Sequence, residues 1–153
     1  MKTIKRQIEI NRPQVEVFDL TQDYAKRLDW DSYLTKAYLL GNADEAGIGV
    51  DSFCQNRYGS VMISRYISFN RPHVAAVTMI KGPFILKRFS GAWNVKKIDE
   101  QRSKLTFTYH FELKGGVIGR LLLPITSHLF ANDMNKRLFA IKRYLESNIK
   151  RPS

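Results

Sequence analysis

Apolar and polar positions alternate at the start of the chain. In residues 3–11 the isoleucines share one face and charged or polar side chains the other, which is the period of a half-buried strand. Asn11 suits the N-cap of a following helix, and Pro13 suits its first turn because proline there sacrifices no helical hydrogen bond. The pattern predicts two short helices after this strand, the second of them leading to Trp30.

Residues 33–113 show the pattern of strands separated by turns. Glycine, asparagine and proline divide this span into about six extended runs, which is typical of an antiparallel meander. In residues 104–113 the apolar side chains share one face: Leu105, Phe107, Tyr109, Phe111 and Leu113. Gly91 interrupts the buried face of residues 85–98, and a glycine there permits a bend or a close approach. The sheet is therefore expected to be strongly curved.

A helical period follows Gly115 and Gly116 and continues to about Ile149. Its apolar side chains recur at spacings of three and four, which places them on one stripe: Phe130, Met134, Leu138, Ile141 and Leu145. Pro124 predicts a kink or a fresh start within this helix, because proline lacks the backbone N–H that the helix uses.

The length and composition are those of one globular domain covering residues 1–153, with 44% hydrophobic residues. The first residues lack the apolar core of a signal peptide, and residues 115–131 fall short of a membrane span. A lone cysteine, Cys54, cannot form an internal disulfide, which favours a reducing compartment. We therefore expect a cytoplasmic protein.

The formal net charge is +11, and the basic residues are scattered without a run typical of a basic tail. Such a charge promotes contact with nucleic acid or an anionic membrane but does not indicate a fold. Two interpretations stay open at this point: a solvated basic surface, and a surface that contacts a polyanion.

Several short motifs, in this order and spacing, carry a resemblance to a known superfamily: residues 8–13, residues 15–18, Asp23, Trp30-Asp31, residues 89–93 and residues 138–145. The chain resembles the START-like, or SRPBCC, superfamily, which includes Bet v 1-like and polyketide cyclase/dehydrase-type proteins. The resemblance implies an α+β helix-grip fold, in which a curved antiparallel sheet of about seven strands wraps around a long C-terminal helix. It also implies a cavity between them. It implies no single chemistry, because members bind lipids, sterols, quinones, hormones or polyketides and a few are enzymes.

The inward faces of these elements supply the candidate ligand-binding residues: Arg65, Ile67, Met79, Phe89, Trp93, Phe107, Tyr109, Phe130 and Met134. Aromatic side chains offer large apolar area, and methionine adapts to irregular ligand shapes. The alternative for each of the apolar residues is that it simply fills a core.

Arg65 is a candidate for a polar anchor. It shares strand parity with Val61, Ile63, Ile67 and Phe69, and a guanidinium that points inward must find an anion or several acceptors. The functional interpretation is that Arg65 holds a carboxylate, carbonyl or phosphate of the ligand. The alternatives are a bulge that returns it to solvent and a salt bridge with Asp51.

Other chemistry has little support in the sequence. His73, His110 and His128 lack the spacing of a metal site, and no phosphate loop, dinucleotide fingerprint or nucleophile elbow is present. Asp29 and Asp31 straddle Trp30 and are interpreted as surface or capping groups. Neither a metal nor a cofactor is expected.

Three function classes are consistent with these observations. The first is binding or transport of a hydrophobic small molecule such as a lipid, a quinone or a polyketide-like compound. The second is an aromatase/cyclase-like enzyme in which Arg65 polarises a carbonyl and Tyr109 or His73 moves a proton. The third is a ribosome- or membrane-associated interaction protein, which the positive charge would suit. The first requires the fewest additional features and is preferred.

Overall fold

The chain follows the predicted order of elements in a computed structural model that describes residues 1–147. The elements are β1 (Lys2–Ile10), α1 (Gln14–Gln22), α2 (Arg27–Trp30), β2 (Leu34–Leu39), β3 (Asp51–Asn56), β4 (Val61–Asn70), β5 (Val74–Lys81), β6 (Leu86–Asp99), β7 (Arg102–Leu113) and α3 (Gly116–Ser147). Ile149, the expected end of the last helix, lies outside the described residues. The extent of the single domain over residues 1–153 stays a prediction.

One seven-stranded antiparallel sheet forms the body of the protein. Its strand order is β1-β7-β6-β5-β4-β3-β2, so the first strand lies beside the last and each other neighbour follows in sequence. The sheet curls as a half-barrel around α3, and α1 and α2 follow the first strand. The helix-grip fold expected from the sequence is confirmed.

The predicted faces of β6 and β7 are confirmed by their burial. Phe89, Trp93 and Val95 of β6 are buried, as are Phe107 and Phe111 of β7. The α3 residues that pack most deeply against this face are Met134, Leu138 and Ile141. Apolar area removed from water on both sides of this contact is the main force holding α3 in the curve of the sheet.

The predicted parity of β4 is wrong for its central part. The pairing of β4 with β5 shifts between Tyr66 and Ser68, so Ile67 is an extra residue at a bulge. Phe69 still packs inward against Phe18, but before the bulge the inward residues are Ser64 and Tyr66. A bulge moves every preceding side chain to the opposite face, because side chains alternate with a period of two.

Helix α3 continues without interruption through Pro124. The fresh start that proline predicts is therefore absent from this helix. Within residues 1–147, no helix combines the length and the apolar character needed to cross a membrane.

Candidate ligand-binding site

A cavity of about 160 Å³ lies between the concave face of the sheet, α2 and α3. Its wall is largely aromatic: the Tyr109 ring meets the rings of Phe89 and Phe130 edge to face, with centroids 4.7 and 5.7 Å apart. Trp93 and Phe107 stack beside them at 3.7 Å. Gly91 lies opposite Tyr109 in the adjacent strand, and a Cβ there would be in ordinary van der Waals contact with the Tyr109 ring, at 3.4 Å.

The structure brings together one part of the predicted site and separates the rest. The predicted residues that line the cavity are Phe89, Trp93, Phe107, Tyr109 and Phe130. The predicted residues that do not line it are Arg65, Ile67, Met79 and Met134. Met134 is fully buried in the core, Met79 packs beside Gly82, and Ile67 faces solvent at the bulge.

Arg65 lies outside the cavity, and its expected inward orientation is wrong. Its side chain is 50% exposed and donates to both oxygens of Asp51, at 2.8 and 3.1 Å. The two residues are directly paired across β3 and β4. Arg65 thus follows both alternatives considered for it: the bulge returns it to solvent, where it pairs with Asp51.

A different pair of arginines supplies the polar end of the cavity. Arg27 and Arg137 both line the cavity and both are buried. Arg27 Nε lies 2.9 Å from Asp31 Oδ2, while Arg137 Nε and Nη2 lie 3.1 and 3.0 Å from the same oxygen. Asp31 Oδ1 accepts from the backbone N–H of Tyr33 at 3.2 Å. The carboxylate is fully buried and bonded at both oxygens.

Arg137 also joins this cluster to the aromatic wall. Its Nη1 donates to the Tyr109 hydroxyl at 2.8 Å, and its guanidinium carbon lies 5.1 Å from the Phe107 ring centroid. The Arg27 guanidinium lies 5.1 Å from the Trp30 ring. Ring faces are negative, so these contacts stabilise the buried positive charges.

The buried cluster carries more positive than negative charge. Two guanidinium groups share one carboxylate, Asp31, which leaves a net charge of +1 beside an apolar cavity. Asp133 is half-buried and lines the same cavity, but within residues 1–147 neither arginine forms an ion pair with it. A ligand anion or a polarised oxygen placed next to Arg137 would complete the balance.

Comparison with known proteins places the chain in a family. A model of the family described as polyketide cyclase/dehydrase and lipid transport matches residues 1–146. The chain belongs to this family. Comparison with curated protein sequences finds no significant match.

Several solved structures share the fold of this chain. The Zhui aromatase/cyclase of Streptomyces sp. R1128 is 17% identical with a TM-score of 0.79, over 97% of this chain and 96% of that chain. A START superfamily protein of Mycobacterium smegmatis is 11% identical with a TM-score of 0.78, over 95% and 97%. Norcoclaurine synthase of Thalictrum flavum, in complex with dopamine and hydroxybenzaldehyde, is 14% identical with a TM-score of 0.72, over 98% and 89%. At these identities the likeness shows the fold alone.

The Arg27–Asp31–Arg137 cluster was not identified by the sequence analysis, although the sequence of this chain contains two signals for it. Arg137 lies three residues after Met134 and seven after Phe130, so helical spacing places it within the apolar stripe of α3. Arg27 precedes Asp31 by four residues, the spacing of neighbours on one helix face. The expectation that Asp31 lies at the surface is wrong, because two arginines make its complete burial tolerable. The alternative of a capping group agrees with its position as the C-cap residue of α2 and with the hydrogen bond that it accepts from the backbone N–H of Tyr33. Asp29 is exposed, as expected.

Burial sets the protonation of the cavity's polar groups. It raises the pKa of the Tyr109 hydroxyl, and the charge of Arg137 offsets this only in part. It likewise raises the pKa of the Cys54 thiol. Burial by itself would raise the pKa of Asp31, but Arg137 and Arg27 together hold that pKa below its usual range. At neutral pH the site therefore presents a neutral tyrosine, an ionised aspartate and two charged arginines.

The lowered pKa of Asp31 predicts a loss of stability in acid. A carboxyl whose pKa is lower in the folded state stabilises the fold above its unfolded pKa of about 3.9. That contribution is lost as the pH falls through the lower, folded value. We expect the free energy of unfolding, measured with urea across a series of acidic buffers, to decline in this window.

Arg137→Met provides the matched comparison for this pH series, because Asp31 then keeps only Arg27 as a partner. With one partner removed, the pKa of Asp31 should be less depressed, so the acid loss still begins near the unfolded pKa but should be smaller and complete at a higher pH. Identical acid profiles for the two proteins would show that the Asp31 ion pairs do not control acid stability.

Outside this cavity, two of the histidines make other contacts. His73 Nδ1 lies 3.2 Å from Gln14 Nε2, and His110 Nδ1 lies 2.8 Å from the Thr3 hydroxyl. In the described part of the chain, no three His, Cys, Asp or Glu side chains are arranged to hold a metal ion.

Proposed function

We propose that the protein binds a small aromatic molecule that carries an anionic or strongly polarised oxygen. The ring would occupy the cavity between Phe89, Tyr109 and Phe130, and the oxygen would lie next to Arg137. The single observation that carries this proposal is the excess positive charge of the Arg27–Asp31–Arg137 cluster at the wall of an apolar cavity. A cavity used only for packing would gain nothing from two buried guanidinium groups.

The cavity volume supports a compact ligand. At about 160 Å³ the space is close to that of engineered apolar cavities of roughly 150 Å³ that hold benzene. Ser52, Ser64 and Cys54 add polar atoms on the side of β3 and β4, where substituents of a ring would lie. A ligand of one substituted ring is therefore favoured over a long lipid chain.

Cyclase-like catalysis is the second candidate, supported by the family match and by one contact. The Tyr109 hydroxyl and Arg137 are hydrogen-bonded to each other, so both could stabilise an oxygen on which negative charge develops. Binding is preferred because His73, the other expected proton carrier, lies outside the cavity lining.

Native mass spectrometry of the protein purified from its own host tests this proposal. We expect an adduct of one small molecule per chain, and extraction should yield an aromatic compound with an acidic or carbonyl oxygen. Incubating the apo protein with the extracted compound should restore the adduct without altering the compound, whereas conversion to a product would favour the cyclase.

An apolar adduct with neither an acidic nor a carbonyl oxygen would contradict the proposed anchor. If the purified protein carries no adduct, it would be titrated with benzoate. Failure of benzoate to bind in the cavity would contradict the proposal as a whole.

A further inference from the structure

The first half of α3 exposes apolar side chains on the face turned away from the sheet. These residues are 55–71% exposed: Val117, Ile118, Leu121, Ile125 and Leu129. On the inner side of the same segment, Leu123 and Phe130 pack against the core. This part of the helix is thus apolar on two faces, and only one of them is covered by the sheet. Such a pattern is typical of a surface that binds another molecule.

The loop between β5 and β6 extends the exposed apolar surface. Phe84 at its tip is 87% exposed, and Lys114 Nζ lies 5.0 Å from its ring centroid. The backbone N–H of Lys114 donates to the carbonyl of Ile85 at 2.8 Å, which holds the loop against the start of α3. We call the seven exposed apolar residues of the loop and helix the α3 patch: Phe84, Ile85, Val117, Ile118, Leu121, Ile125 and Leu129.

Basic side chains border the α3 patch. Lys2, Lys87, Lys114 and Arg120 line one shallow depression beside the start of α3. Glu112, in the same depression, is 3.5 Å from Lys87 and offsets only part of this charge. The border is therefore positive, in line with the net charge of +11 for the whole chain.

We propose that the α3 patch docks on the surface of an anionic lipid bilayer. The apolar side chains would enter the boundary between headgroups and acyl chains while the lysines and Arg120 contact the anionic headgroups. A second copy of the chain fits less well, because a symmetric interface would bring the same basic border against itself. Pro83, next to Phe84, and Phe130 of α3 both line the cavity, so docking would place the cavity wall close to the lipid.

Vesicle sedimentation with the full-length protein tests this proposal. We expect sedimentation with vesicles of phosphatidylcholine and phosphatidylglycerol, little with phosphatidylcholine alone, and weaker sedimentation as salt is added. Leu121→Glu should lower the partition coefficient by about tenfold or more, because it replaces by a charge an apolar group that would enter the bilayer on docking. Phe84→Ser, on the loop, should lower it independently.

Ile48→Glu is the matched control, since Ile48 is 69% exposed and Leu121 is 71% exposed, but Ile48 lies outside the α3 patch. It adds the same charge and should leave the partition coefficient within about twofold of the wild-type value. Equal binding by Leu121→Glu and the wild type would overturn the proposal, as would failure of the wild type to bind anionic vesicles. Two other results would assign the surface to another partner and overturn the proposal too. One is binding to RNA instead of vesicles, and the other is a dimer that Leu121→Glu converts to a monomer.

Discussion

Asp31→Asn is expected to destabilise the folded protein by about 3–5 kcal/mol, the usual cost of leaving a buried charge without its partner. The substitution retains the shape of the side chain but removes the charge that Arg27 and Arg137 share. Two guanidinium groups would then be buried beside each other without a counter-ion. The free energy of unfolding, measured with urea and circular dichroism, checks the size of this loss.

Asp51→Asn is the matched control for that measurement. Asp51 also pairs with an arginine, Arg65, but at the surface, where water screens the charges and replaces the lost hydrogen bonds. The same chemical change should therefore have a far smaller effect on the free energy of unfolding. Similar losses of unfolding free energy in the two variants would contradict the view that burial makes the Asp31 cluster important for stability.

Arg137→Met should selectively weaken the binding of anionic aromatic molecules. Methionine retains the apolar bulk while removing the group that we propose to contact the ligand oxygen. Calorimetric titration with benzoate and with its neutral analogue benzamide separates charge recognition from packing. The ratio of the two affinities should fall by about tenfold to a hundredfold, the usual value of a hydrogen bond between charged groups.

The fold should tolerate Arg137→Met, because Asp31 and Arg27 remain as a neutral pair with a hydrogen bond of 2.9 Å. Arg65→Met removes an arginine that lies outside the cavity and should leave the affinity ratio unchanged. An unchanged ratio in Arg137→Met, or an equal drop in both variants, would remove Arg137 from the proposed site.

The aromatic wall could be predicted from the sequence because β6 and β7 pair without a bulge across residues 88–97. Phe89, Trp93, Phe107 and Tyr109 keep the strict alternation of these strands, and a period of two is sufficient to assign their face. The same rule gave the wrong face for Arg65. The bulge at Ile67 adds one residue between Phe69, which points inward, and the preceding part of β4. Nothing in the local pattern of residues 61–70 marks that shift.

The order of elements and the apolar stripe of α3 follow from local periodicity, because each depends on residues that are close together in the chain. The polar end of the cavity is different, since Arg137 and Asp31 are 106 positions apart and meet only when α3 lies in the curve of the sheet. Whether a charged residue is buried depends on such distant partners. Helical spacing could have singled out Arg137, but only the tertiary structure decided that it shares Asp31 with Arg27 and reaches Tyr109.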